Sequence, residues 1–433
     1  MTPHKIISKV TTSNLVKATS ILAAGTLVSQ AISVISSVVI TRMYSPTEFG
    51  YFSTFNATAS ILAVLLPLSF PLSIPNATTD TEAKYLAHIS VAATLVMASI
   101  SALVLTFVGM AGALPRELSE IYPTILLTPV LGALIAVTQT QRYLLLRNQK
   151  YFFISGLVAM NSGISNVLKI TLGAFYSNFF VLLGSVIFAS LLQFIAGWKY
   201  LIKIKTGGSL NNLTSFLRYC KVIQRNRSFP IYRMPQDLLA TISQSLPVLL
   251  LAAFFGPEQA AFYAICKLAL EAPSRLVGSA IRDVLYSKIS NSRRTGGKVY
   301  SYVAMSTLAI AIAAIIPMVT ILVWAPDIFR IVFGEKWRAS GEMAQVASLM
   351  FVLGILNKPS IAAIPILNMN KTLLFYEVFS SSGRALAFML SALYLQTPLS
   401  SVAAYSAVGA LFYMVLITKV LVEAKKYDYA KAG

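Results

Sequence analysis

RMYSPTEFGYFSTF, residues 42–55, has an echo in the second half of the chain: AAFFGPEQAAFYAI, residues 252–265. Aligning Pro46 with Pro257 also aligns Tyr44 with Phe255, Tyr51 with Phe262 and Phe52 with Tyr263. The acidic residue shifts by one, from Glu48 to Glu258. Each copy joins two long apolar runs. A tight outer turn alone favours Pro and Gly, and aromatic residues gather at membrane interfaces anyway. The alternative is that the chain is a duplication, and the rest of the sequence bears on that choice.

Working outward from the echo, the composition is that of a membrane protein. Of 433 residues, 56% are hydrophobic and 12% charged, and the mean hydropathy is +0.72. Soluble domains carry about 25% charged residues. A spanning helix needs roughly 20 mostly apolar residues. Twelve windows meet that need: 19–40, 51–73, 88–111, 121–141, 152–175, 179–198, 237–255, 260–281, 299–324, 343–367, 372–395 and 399–421. Hydrocarbon admits no open sheet, so the spans are expected to be helices. Six spans separate the two copies of the echo. An even number gives both halves the same orientation, related by an axis along the membrane normal. The expected fold is an all-α polytopic protein, two six-helix bundles from a parallel duplication around a central cationic cavity.

The formal charge of +20, from 35 Lys and Arg against 15 Asp and Glu, raises nucleic acid as a partner. Position argues otherwise. With both termini cytoplasmic, 25 Lys and Arg fall on the inner side and five (Arg42, Arg116, Arg330, Lys336, Arg338) on the outer. That bias is the positive-inside rule, and it removes the need for nucleic acid. The longest inner loop lies near the middle of the chain, where a fused duplication places its joint. The expected organisation is residues 1–200 as an N-terminal bundle, 201–235 as a basic cytoplasmic linker and 236–433 as a C-terminal bundle. The linker is too short and basic to fold alone. Its cations either set topology or also hold anionic lipid headgroups. The first apolar run is of full length and no small-residue cleavage site closes it, so it reads as a first span.

Charges inside the spans carry the functional signal. Span five contains Lys169, in NVLKITLGAF. The second half contains Lys267, Glu271, Arg275, Lys358, Glu377 and Arg384. Each costs about 2.5–3.5 kcal/mol at a helix centre. Together they are tolerable when facing one another or water. Lys267, Glu271 and Arg275 are four apart and form one stripe, and Glu377 and Arg384 share a face. Glu271 pairs with Lys267 or Arg275 but neutralises just one of them. The cation surplus calls for a visiting anion such as a phosphate or an acidic sugar. Lys267, Arg275, Lys358, Arg384 and Lys169 are therefore the candidate anion-binding residues. Glu271 and Glu377 are candidates for charge pairing or ion coupling. Pro273, Pro359 and Pro365 stand beside these ions and are expected to bend their helices. Competing readings remain: Lys358 and Lys169 as lysines snorkelling to an interface, Glu377 as an interfacial residue, the whole set as structural ion pairs. Asp237 at the start of span seven reads as a helix N-cap.

No enzyme signature is visible, and no cofactor or metal is expected. His4 and His88 are the sole histidines, too few for His-based catalysis or a metal cluster. Cys220 and Cys266 fall in a loop and a helix and are not expected to pair. There is no P-loop for nucleotide-driven transport. The outer loops are too short to fold the active site of a glycan polymerase or ligase.

Three stretches carry a family resemblance. TSILAAGTLVSQAISVISSVVITRMYSPTEFGYFSTFNATASIL (19–62), FPIYRMPQDLLATISQSLPVLLLAAFFGPEQAAFYAICKLALEAPSRLVGSAI (229–281) and VFGEKWRASGEMAQVASLM (332–350) resemble polysaccharide-transporter flippases of the Wzx type. These share a superfamily (MOP) with multidrug and toxin extrusion (MATE) transporters and the lipid II flippase. The resemblance implies two six-helix bundles. It implies translocation of an undecaprenyl-pyrophosphate-linked oligosaccharide, such as an O-antigen or capsule unit, from the inner to the outer leaflet of a bacterial inner membrane. It further implies a monomeric transporter among membrane lipids, with a glycan polymerase or chain-length regulator as partner. The alternative within the superfamily is a MATE-like ion-coupled exporter of small molecules, whose cavity should carry unpaired acids.

Overall fold

A computed structural model of the chain describes residues 3–112, 124–202, 213–272, 299–367 and 369–432. The described residues contain helices and no strand. The helices are α1 (Pro3–Met43), α2 (Pro46–Leu65), α3 (Asp80–Met110), α4 (Thr128–Arg147), α5 (Tyr151–Gly173), α6 (Phe179–Ile202), α7 (Leu213–Arg225) and α8 (Met234–Phe255). Then come α9 (257–272), α10 (Val299–Phe333), α11 (Arg338–Leu356), α12 (Lys358–Ala363), α13 (Asn370–Tyr394) and α14 (Pro398–Ala432). The described part of every expected window is helical over most of its length, window 260–281 being followed as far as residue 272. Among the described residues nine helical segments are long and apolar enough to cross a membrane, or ten with one bent pair. The chain is a multi-pass membrane protein.

It packs as two units, Met1–Tyr44 with Tyr51–Ser245, and Ser45–Gly50 with Leu246–Gly433. In unit 1, small residues let α1 lie close against α5, as in membrane helix pairs generally. Ser155 Oγ donates to the Ile21 carbonyl at 2.8 Å. Ser162 Oγ donates to the Ser29 carbonyl at 3.0 Å and lies 2.9 Å from Ser33 Oγ. Span two is broken. After α2 comes Pro67, then Leu68 and Ser69 with left-handed backbones (φ 50° and 55°), then a 3₁₀ turn at Phe70–Asn76 bent by 51° from α2. Arg147 fastens the far end of this bend. Its guanidinium donates to the Ala77 carbonyl at 2.7 Å and pairs with Asp80 at 3.0 Å. Thr79 caps α3, accepting from the Glu82 N–H at 3.1 Å. Glu82 reaches back to the Thr78 N–H at 2.9 Å, a variant of the capping box.

In unit 2 the start of α10 is capped from a distance. Asp428 on α14 accepts from the N–H groups of Val299 (2.9 Å) and Tyr300 (2.8 Å). Gln345 ties α11 to the Leu322 carbonyl of α10 at 2.8 Å. Span ten is interrupted at the single residue Asn357, just before Pro359: α11 ends at Leu356 and α12 opens at Lys358, yet Glu335–Ala363 runs as one span, and Pro365 lies beyond its end. Ser45–Gly50, from the first copy of the repeated turn, packs in this unit. Phe49 meets the fully buried Trp337 edge-on at 5.6 Å. Phe262, from the second copy, meets the same indole at 5.9 Å.

Within the stretch 201–235 lies α7, whose Tyr219 and Val222 pack on a hydrophobic core. The structure corrects one expectation. Asp237 is not an N-cap. A π-helical turn at Phe229–Arg233 runs straight into α8, so no free helix start exists there, and Arg233 takes the carboxylate instead at 3.1 Å.

Candidate functional site

Unit 2 gathers charges around tyrosines. Lys267 Nζ lies 3.8 Å from Glu271 Oε1, one turn along α9, with both side chains about one-fifth exposed. On α13, Arg384 Nε donates to the Ser380 carbonyl at 3.1 Å. The Arg384 guanidinium carbon stands 5.4 Å over the Tyr405 ring, a cation–π contact. Tyr405 is buried, as is Tyr263 on α9. Gly409 makes room for this arrangement: a Cβ there would stand 2.6 Å from Met350 Sδ and 3.1 Å from Arg384 Cδ.

The structure thus joins Lys267 to Glu271 and sets Arg384 over the Tyr405 ring. Lys358 is partly buried at the first position of α12, just after the one-residue interruption at Asn357. Arg275, the third member of the α9 stripe, and Pro273 lie outside the described residues. Sequence reasoning misses the phenols, because a tyrosine in an apolar run reads as core.

Lys169 belongs to unit 1. Its ammonium stands 4.8 Å over the Phe52 ring, and its carbonyl accepts from the Tyr44 hydroxyl at 2.8 Å. In unit 2, Phe255 and Tyr263 align with Tyr44 and Phe52. Phe255 packs on Phe388 of α13, with ring centroids 6.5 Å apart.

Unit 1 also holds a polar cavity of about 350 Å³ that sequence reasoning misses. Ser69, Gln139, Tyr143, Arg233, Asp237, Thr241 and Gln244 supply its polar lining. The prolines Pro67, Pro71 and Pro75 are the signal that marks the bend forming one wall. Its volume falls in the range of small-molecule pockets, about 300–1,000 Å³.

Comparison with known proteins agrees with this architecture. A family model described as "Polysaccharide biosynthesis protein" matches residues 39–342. No curated protein is significantly similar in sequence. An inward-facing multidrug resistance MATE family transporter of the MOP superfamily is 14% identical, with a TM-score of 0.59 over 95% of each chain. An outward-facing structure of such a transporter is 13% identical, with a TM-score of 0.59 over 96% of each chain. A MOP superfamily transporter from Pyrococcus furiosus, described as having a binding pocket of reverse polarity that suggests a different function, is 13% identical with a TM-score of 0.56 over 96% of each chain. At these identities the likeness establishes the fold, which is MATE-like.

Proposed function

The chain belongs to the polysaccharide biosynthesis protein family, and we propose that it acts there as a flippase for a lipid-linked oligosaccharide. Its substrate is an undecaprenyl-pyrophosphate-linked repeat unit, carried from the cytoplasmic to the periplasmic leaflet of a bacterial inner membrane by alternating access. The observation that carries the reading is the surplus of cations in the apolar helices. Lys267, Arg275, Lys358, Arg384 and Lys169 stand against Glu271 and Glu377, five against two, so about three positive charges stay over to match a pyrophosphate. Arginine suits that role because its planar fork matches phosphate oxygens. Lys169 offers a corresponding cation in unit 1. The repeated turn, with Tyr44, Tyr51 and Phe52 aligned with Phe255, Phe262 and Tyr263, supports a parallel duplication.

Moving negative charge outward across an inside-negative membrane is favourable by about 2.3 kcal/mol per charge per 100 mV. The membrane potential therefore assists the outward step. Glu271 couples an ion or proton if its pairing with Lys267 changes between states. The exporter alternative expects acids held open for cationic drugs, whereas Glu271 here is paired with Lys267.

A complementation assay tests the proposal. The chain is expressed in a strain lacking its own flippase, and surface polysaccharide is scored for wild type, Arg384→Ala and Lys267→Ala at matched membrane levels. Restoration by wild type and loss in both variants is expected. No restoration by wild type with any lipid-linked glycan supplied would overturn the assignment.

A further inference from the structure

α7 carries two kinds of surface. Tyr219 and Val222 pack against the buried core formed by Phe70, Ile74, Leu86 and their neighbours. The Tyr219 ring meets Tyr85 edge-on at 4.7 Å, and its hydroxyl lies 3.0 Å from His88 Nδ1. These contacts fix α7 to the start of α3. Leu217 and Ile223 remain 51% and 41% exposed. Arg218, Lys221 and Arg225 line an open niche of about 330 Å³ against Thr78, Glu82 and Tyr85.

The niche has a surplus of positive charge. Its one carboxylate, Glu82, accepts from the Thr78 N–H and hydroxyl at 2.9 and 2.6 Å. Arg225 approaches it at 3.7 Å. Among the described residues no carboxylate pairs with Arg218 or Lys221. We propose that this niche binds the phosphate of an anionic membrane phospholipid, with Arg218 and Lys221 as its ligands. The lipid is favoured over free phosphate because exposed Leu217 lies one turn before Lys221 on the same face of α7, an apolar neighbour for an acyl chain, and α7 is anchored to a membrane span. Basic segments beside spans attract anionic lipids. The proposal is independent of what the protein carries.

The test uses the full chain in nanodiscs of phosphatidylcholine with increasing phosphatidylglycerol. Thermal stability and binding of a fluorescent phosphatidylglycerol are measured for wild type, for Arg218→Glu with Lys221→Glu, and for Lys425→Glu as a control elsewhere on the surface. Wild type and the control should be stabilised by phosphatidylglycerol, and the double variant should bind it about tenfold more weakly. If the double variant does not fold, Leu217→Ser is used, and it too should bind the lipid more weakly. Equal lipid binding by wild type and the folded variant would overturn the proposal. Equal stabilisation by inorganic phosphate, with displacement of the lipid, would overturn the lipid as the occupant.

Discussion

Gly50 lies against the carbonyl group of Pro257, so closely that a Cβ on Gly50 would run into it. One residue comes from the 42–55 turn and the other from its echo. Phe49 and Phe262, beside them, both meet Trp337. A backbone carbonyl cannot rotate away as a side chain can. Gly50→Ala should therefore cost about 1–3 kcal/mol and lower the melting temperature of the purified protein. Gly156→Ala, where a Cβ meets nothing within 4 Å, should not.

Arg147 should matter for stability and little for substrate recognition. It satisfies the Ala77 carbonyl and pairs with Asp80. Hydrogen bonds to charged groups contribute about 1.5–3 kcal/mol. Arg147→Ala should destabilise the protein by that order in thermal unfolding, while substrate affinity, measured below the transition, stays unchanged.

Asp428 caps α10 from α14 through two backbone N–H groups. Loss of a cap costs about 0.5–2 kcal/mol. Asp428→Ala should speed amide hydrogen exchange at Val299 and Tyr300, and Asp428→Asn should recover part of the protection.

Gly409 sets the position of Arg384. Gly409→Val should push against Met350 Sδ and Arg384 Cδ, lowering transport more than it lowers stability. A matching fall in both would instead mark Gly409 as a packing residue.

The spans are legible in the sequence because hydrocarbon demands long apolar helices. The bend after α2 does not stand out from the apolar window 51–73, although Pro67, Pro71 and Pro75 announce it. α7 reads as loop because its cations dominate the composition, while Tyr219 and Val222 reveal their role through the core they meet. The charged candidates Lys267, Glu271 and Arg384 are visible as costly residues in apolar runs. Their tyrosine partners are not, because phenols cost little in a membrane helix and have no fixed spacing. Asp237 misleads because a π-turn precedes α8 without a gap where the sequence suggests a helix start.

The most direct test is flipping by the purified protein in liposomes. A fluorescent undecaprenyl-pyrophosphate-linked oligosaccharide is placed in one leaflet, and its arrival in the other is followed for wild type, Arg384→Gln, Lys169→Gln and Arg384→Lys. The proposed function predicts transport by wild type, roughly tenfold or greater loss in both Gln variants, and partial retention in Arg384→Lys. Wild-type rates in both Gln variants would contradict the role of the cations. Transport of cationic dyes without transport of the lipid-linked glycan would contradict the function itself.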